Sequence, residues 1–429
     1  MQTAIATVKK IFAHRTVRKK LLFTLGIIFI YRTLAHIPVP GVDVAQLGQI
    51  FAGNQFLSLL NVFSGGTLSR FSVMAVGINP YITASIIFQL AGMVLPSLKE
   101  LQKDGESGRE KVNQYTRLAS VPLAIVQSFS VLMLLRSQGL LESADPLTMI
   151  VMILTLVAGA SILMWLGELV SQFGVGNGIS MVLFAGILSQ LPTMFGQIWT
   201  VSSADQWLTI FIFLAVFLLI VGLIVYMNEA VRKVIIQYAK RQRGSRSYGG
   251  QKSHLPIRVN VAGVLPIIFA ISIMMVPSFV SRILLASSNQ NLLNIGQNLG
   301  IWFSPTAWPY MLLYFVIVFA FTYFSALIFF NAEDISDELK KSGAFLPGIR
   351  PGVATKKYLE FVVTRITLAG AIFLGFIALM PSLVQLWTGV QSLAIGGTSV
   401  LIIVSVILET SKQVESQLVE ENYDRLLKK

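Results

Sequence analysis

Cysteine does not occur anywhere in the 429 residues, so the chain has no disulfide, no thiolate nucleophile and no thiolate metal site, and its redox compartment stays open. Charge is nearly as scarce. Asp, Glu, Lys and Arg make up 12% of the sequence, roughly half of what a soluble domain carries, whereas hydrophobic residues make up 54%. With only three histidines, no cluster has the spacing of metal ligands or of a nucleophile and its base. No G-x-x-x-x-G-K-[ST] phosphate loop occurs, and the stretch Gly105-Glu106-Ser107-Gly108-Arg109-Glu110-Lys111 lacks that spacing. Nothing here points to an enzyme, a metal site or a cofactor.

What the chain does have is apolar sequence in long runs. A bilayer core about 30 Å thick takes roughly 20 apolar helical residues to cross. Ten stretches approach that length: 21–37, 71–95, 118–135, 147–169, 179–195, 207–227, 261–280, 308–330, 361–380 and 390–408. The expected fold class is an all-α membrane protein with ten transmembrane helices. The first stretch follows a basic segment but has no small-residue cleavage site behind a short apolar core, so it reads as a retained helix.

The basic residues set the expected orientation. Of the 33 Lys and Arg, 29 fall in segments on the side of the N-terminus and three on the other side (Arg70, Arg136 and Arg282), with Arg32 inside the first stretch. Positive charge is retained on the cytoplasmic side of short loops, so both termini are expected in the cytoplasm. The cluster Lys9, Lys10, Arg15, Arg18, Lys19 and Lys20 reads first as this topology signal.

Two weak internal matches pair stretch n with stretch n + 5. The pattern G-x-x-P-x-I-x-A occurs as Gly77, Pro80, Ile82 and Ala84, and again as Gly263, Pro266, Ile268 and Ala270. Asn177-Gly178-Ile179-Ser180 with Leu183 is echoed by Gly396-Gly397-Thr398-Ser399 with Ile402. Because five is odd, the second copy starts on the opposite side of the membrane, which makes the two halves inverted repeats. Ionisable groups are nearly absent from mid-span. Glu168 and His36 stand at span ends, and Arg32 fits a packed or snorkelling residue better than a substrate ligand.

Between the first two stretches, residues 57–70 are half apolar, too short to cross and interrupted by Gly65-Gly66. Two readings stay open at this level: a re-entrant half-helix inside a funnel, or an amphipathic helix on the membrane surface.

Four motifs carry a resemblance over nearly the whole chain. They are Asn61-Val62-Phe63-Ser64-Gly65-Gly66-Thr67-Leu68-Ser69-Arg70; Gly105 to Arg109 with Gln114-Tyr115-Thr116-Arg117; Asn260-Val261-Ala262-Gly263-Val264-Leu265-Pro266; and the run from Gly343 to Gly352. With these the chain resembles the SecY/Sec61-alpha family of protein-translocation channels. The resemblance implies a clamshell of two inverted five-helix halves, 1–200 and 201–429, around a central pore. A plug lies within about 57–70, here Asn61 to Arg70. By position, an apolar ring would comprise Ile82, Ile86, Leu183, Ile187, Ile268 and Ile402; position 183 is leucine where the family commonly has isoleucine, a swap that keeps volume and hydrophobicity.

The resemblance further implies a lateral gate with Thr83, Gln127 and Asn260 as its polar residues. Cytoplasmic loops at about 228–259 and 331–360 would dock partners through Lys240, Arg241, Arg243, Arg246 and Arg350. The implied partners are the small membrane subunits SecE and SecG, the SecA ATPase motor, the ribosome, signal sequences and nascent chains, and membrane lipid, in a bacterial plasma membrane and with no cofactor. A small-solute secondary transporter built on inverted repeats, and a scaffold that only anchors partners, are the competing functions.

Overall fold

In lipid a backbone has only itself to satisfy its N–H and C=O groups, and each of the ten apolar stretches contains a helix in the computed structural model. The structure describes residues 14–40, 42, 47, 61, 64–137, 145–192, 207–238, 241–243, 246–248, 252–261, 263–285, 289–388 and 396–427. By its packing the chain divides into two units, 1–210 with 402–429, and 211–401.

The first unit holds α1 (Arg15–Leu34), α2 (Asn79–Val94), α3 (Pro96–Lys103), α4 (Gly105–Ser137), α5 (Pro146–Phe173), α6 (Gly178–Leu188) and most of α13 (Gly396–Leu427). Large apolar side chains stay exposed in helical stripes, such as Leu22, Leu25 and Phe29 on α1 and Leu147, Ile150 and Leu154 on α5. In water such stripes would be a liability; in a bilayer they are the lipid-facing surface. Glu168, at the end of its apolar stretch on α5, is ion-paired with Arg117 of α4 at 2.5 Å, so neither charge stands uncompensated.

The second apolar stretch forms a shorter helix than expected. Residues 71–78 are turns, and α2 begins only at Asn79, because Gly77 has φ +66° and Pro80 occupies the first helical turn. Its counterpart repeats this device. Gly263 has φ +64° and α8 starts at Leu265 with Pro266 behind it, so the two sequence matches share one local structure.

The second unit holds most of α7 (Trp207–Glu229), then β1 (Val231–Tyr238), β2 (Arg241–Arg243), β3 (Arg246–Tyr248) and β4 (Lys252–Arg258). It continues through α8 (Leu265–Leu285), α9 (Gln290–Trp302), α10 (Trp308–Phe329), α11 (Ala332–Lys341), β5 (Ala344–Phe345) and α12 (Val353–Thr388). Within residues 228–259, read from sequence as a cytoplasmic loop, the described residues include the four strands β1 to β4. β1 pairs antiparallel with β4, β5 adds to the other edge of β1, and β2 pairs with β3 at the tip. One face of this sheet buries Val234, Ile236 and Ile257 against Leu339 of α11 and Leu359 and Val363 of α12. The β-branched residues at alternate positions of β1 supply that face, as a half-buried strand requires.

An ion pair ties α11 to α12: Lys356 Nζ donates to Glu333 Oε2 at 2.8 Å. That hydrogen bond raises the lysine pKa above its ordinary 10.5. A raised folded-state value means the contribution is complete below the unfolded pKa and fades as pH climbs through the higher folded one. Glu333→Gln is expected to lower the thermal midpoint slightly at neutral pH, with the gap to the parent closing above pH 10.5 in a melting series. A gap unchanged by pH would mean that the pair contributes nothing.

Candidate functional site

Ahead of α2, residues 64–78 are irregular, yet their backbone is well provided with partners. The Asn61 carbonyl accepts from the Gly66 N–H at 2.8 Å, from Ser64 Oγ at 2.9 Å and from Gln190 Nε2 at 3.2 Å. Asn61 Oδ1 accepts from the Ser69 N–H at 2.9 Å, and Ser64 Oγ from the Leu68 N–H at 3.1 Å. The buried Thr67 hydroxyl lies 2.7 Å from the Ser64 carbonyl and 3.0 Å from that of Met74. Short polar side chains thus do what a regular ladder cannot do here, as buried backbone demands. A bridge between Pro38 and Ser72 then ties the segment to the end of the first stretch.

Gly65 and Gly66, at φ +73° and +81°, turn the chain back on itself. Within the expected half-helix of 57–70, Asn61 is helical, residues 57–60, 62 and 63 lie outside the described residues, and residues 64–71 are turns, since two consecutive left-handed residues cannot continue a right-handed helix. Phe71, fully buried, is the one non-glycine residue with positive φ among the described residues, at 42°. A bulky residue held there is strained, and strain persists only where the surroundings over-determine it.

Gly65 presses against two helices. A Cβ at position 65 would lie 2.6 Å from Tyr31 Oη and 2.8 Å from Cα of Gly186 on α6. Arg32 completes the contact by donating from Nη1 to the Gly65 carbonyl at 3.1 Å. The one charge inside the first apolar stretch thus holds the irregular segment by its backbone. The sequence reading missed Tyr31, Gly186 and Gln190 as partners; their only sequence signal is a small residue and two polar groups in apolar stretches.

Of the expected plug, Asn61 and Ser64 to Arg70 belong to this segment, while Val62 and Phe63 lie outside the described residues. Ile82 and Ile86 are buried one turn apart on α2, and Leu183, half-buried, and Ile187, buried, are likewise one turn apart on α6, next to Gly186. Ile268 on α8 is half-buried and Ile402 on α13 is buried. The Thr83 hydroxyl donates to the Asn79 carbonyl within α2 at 2.9 Å, and Gln127 is half-buried on α4. Asn260, 8% exposed, donates from Nδ2 to Asn228 Oδ1 at 2.8 Å, and its own Oδ1 finds no partner among the described residues.

Among the expected docking residues, Lys240 lies outside the described residues. Arg241 and Arg243 fall on β2 and Arg246 on β3, the sheet tip. Arg350 is exposed on the turn between β5 and α12, with no carboxylate paired to it among the described residues. Its carbonyl accepts from the Thr355 hydroxyl at 3.0 Å, and the Gly352 carbonyl accepts from Ser336 Oγ at 2.9 Å. These bonds fix the turn and aim its one guanidinium outward.

The arrangement is that of a helical membrane protein with a tucked, hydrogen-bonded segment inside one unit and a basic platform on the other. The SecY family model matches residues 72–411, and the chain belongs to the SecY family. It is 41% identical to protein translocase subunit SecY of Streptomyces coelicolor over the whole of both chains. Against the subunit of Mycobacterium tuberculosis it is 42% identical, covering 96% of this chain and 97% of the relative. Among solved structures, a protein-conducting channel superposes with a TM-score of 0.63 at 17% identity, covering 95% of this chain and 94% of the other. Sec61 in the canine ribosome-channel complex gives 0.55 at 17% identity, with the same coverage. The chain is a channel subunit and not an enzyme, and the small-solute transporter reading is set aside.

Proposed function

We propose that this chain forms the conduit through which unfolded secretory proteins cross the bacterial plasma membrane and membrane segments leave sideways into lipid. Full-length identity with translocase subunits carries this reading. Residues 61–70 act as the plug, held shut by Arg32, Tyr31 and Gly186. Ile82, Ile86, Leu183, Ile187, Ile268 and Ile402 form the apolar ring, contributed by the halves 1–200 and 201–429. An apolar constriction suits this cargo because it grips no particular side chain and holds back ions by dewetting.

Thr83, Gln127 and Asn260 line the lateral gate. The orphaned Asn260 Oδ1 is a reason to expect a polar partner there when the gate changes state, since a buried unpaired oxygen costs about 1–3 kcal/mol. Both termini and the basic platform face the cytoplasm. SecA and the ribosome dock on the platform, through Lys240, Arg241, Arg243 and Arg246 towards rRNA phosphate and through Arg350 towards the motor. SecE and SecG complete the assembly, and partners supply the energy.

An arrested secretory chain should crosslink to photoreactive side chains introduced at positions 82, 268 and 402, and not at the lipid-facing position 154. Crosslinks at 154 alone would overturn the ring assignment.

A further inference from the structure

The exposed face of α9 belongs to none of these roles. This helix lies between α8 and α10, at the end of α8 away from the sheet. At 100° per residue its side chains fall into three sectors. One packs on α8: Gly296 is fully buried, its carbonyl accepts from Ser281 Oγ at 2.7 Å, and a Cβ there would lie 3.0 Å from Leu284 Cβ. A second sector carries five carboxamides, Gln290, Asn291, Asn294, Gln297 and Asn298, all exposed. The third, beside the packing sector, is an apolar stripe of Leu292, Ile295 and Trp302, which are 37%, 50% and 63% exposed. Ile301 stands apart on the carboxamide side.

No charged residue occurs from 286 to 307. The flanking spans also expose apolar side chains near their α9 ends, Val280 and Leu285 on α8 and Trp308 and Leu312 on α10. A protein partner is commonly met by a rim with some charge, whereas a neutral helix edged by tryptophan between two lipid-facing spans matches the headgroup boundary.

We infer that α9 is an interfacial membrane anchor: its Leu292, Ile295 and Trp302 stripe is immersed in the leaflet opposite the sheet, with the carboxamides in water. Lacking basic residues, it holds to lipid through apolar area alone and is indifferent to anionic headgroups. The inference rests on the membrane fold and not on the translocation roles.

The absence of cysteine makes the test clean. Leu292→Cys, Ile295→Cys, Trp302→Cys and Asn294→Cys are each labelled with a nitroxide in the full chain, purified with its membrane partners and reconstituted into phosphatidylcholine vesicles. Power saturation with oxygen and a nickel chelate should set labels 292, 295 and 302 about 5–10 Å below the phosphates and label 294 in water. Adding phosphatidylglycerol should leave these depths unchanged. The inference is overturned if label 295 or 302 is as accessible to the chelate as label 294. It is equally overturned if both are shielded from oxygen and chelate alike, the signature of a protein partner or a second copy on the stripe. The positions chosen are exposed, and three of them report independently should one variant fail to fold.

Discussion

Vesicles carrying Gly65→Val are expected to leak ions in the absence of any substrate and to export precursors with defective signal sequences. The added Cβ would stand 2.6 Å from Tyr31 Oη and 2.8 Å from the Gly186 backbone. The hydroxyl can swing away, but a helix backbone cannot. A β-branched side chain at φ +73° adds about 1–2 kcal/mol of its own. A combined cost of about 3 kcal/mol shifts the ratio of seated to unseated plug roughly 100-fold. Gly66→Ala bears a similar left-handed backbone strain at φ +81° but meets its nearest neighbour, the Gln190 side chain, only at 3.4 Å, so it should leak less. Arg32→Leu removes the bond to the Gly65 carbonyl and should fall between the two, since a bond to a charged donor is worth about 1.5–3 kcal/mol. Electrical recording in planar bilayers reads all three. Conductance equal to the parent in Gly65→Val and Arg32→Leu together would show that the segment does not seal the channel.

Arg350→Glu is expected to abolish motor-driven export while leaving the protein folded. The side chain is exposed and the turn is held by backbone acceptors, which a glutamate preserves. Reversing a charge buried at a partner interface costs about 2–5 kcal/mol, equivalent to a loss of roughly 30-fold to several thousand-fold in affinity. ATP-driven uptake of a precursor into inverted vesicles measures it, with protein abundance as the control. Uptake at the parental rate would dismiss the docking role. Arg243→Glu or Arg246→Glu should behave differently, weakening ribosome binding in a salt-dependent way, because phosphate contacts act through counterion release.

The four helices among the described residues that are long and apolar enough to cross a membrane were legible in the sequence, because lipid allows the backbone no alternative to a helix once roughly 20 apolar residues are present. The glycine and proline of G-x-x-P also spoke for themselves: at 77 and 263 they break the chain in the same way. The sheet was not legible. Its strands carry the exposed charges Arg232, Lys233, Lys252 and Arg258, and Arg232 falls on the same face as Val234 and Ile236, so the alternation was masked by charge that served the topology argument. Helix α9 escaped because it has too little apolar surface to suggest a span and no charge to mark an amphipathic face. The partners of Gly65 could not be read at all. Tyr31 and Arg32 precede it by more than thirty residues and Gly186 follows by more than a hundred, and only packing brings such separated positions together.

Helix α12 deserves a mechanical reading. Its first turns belong to the sheet's core through Leu359 and Val363, and it then runs on as apolar helix to Met380, with no proline on the way. Those 28 residues from Val353 make a strut about 42 Å long. The turn bearing Arg350 is bonded to its near end by Thr355. A partner that pushes or tilts that turn therefore works on one end of a stiff lever whose other end lies in the bilayer, with no joint between them to absorb the stroke.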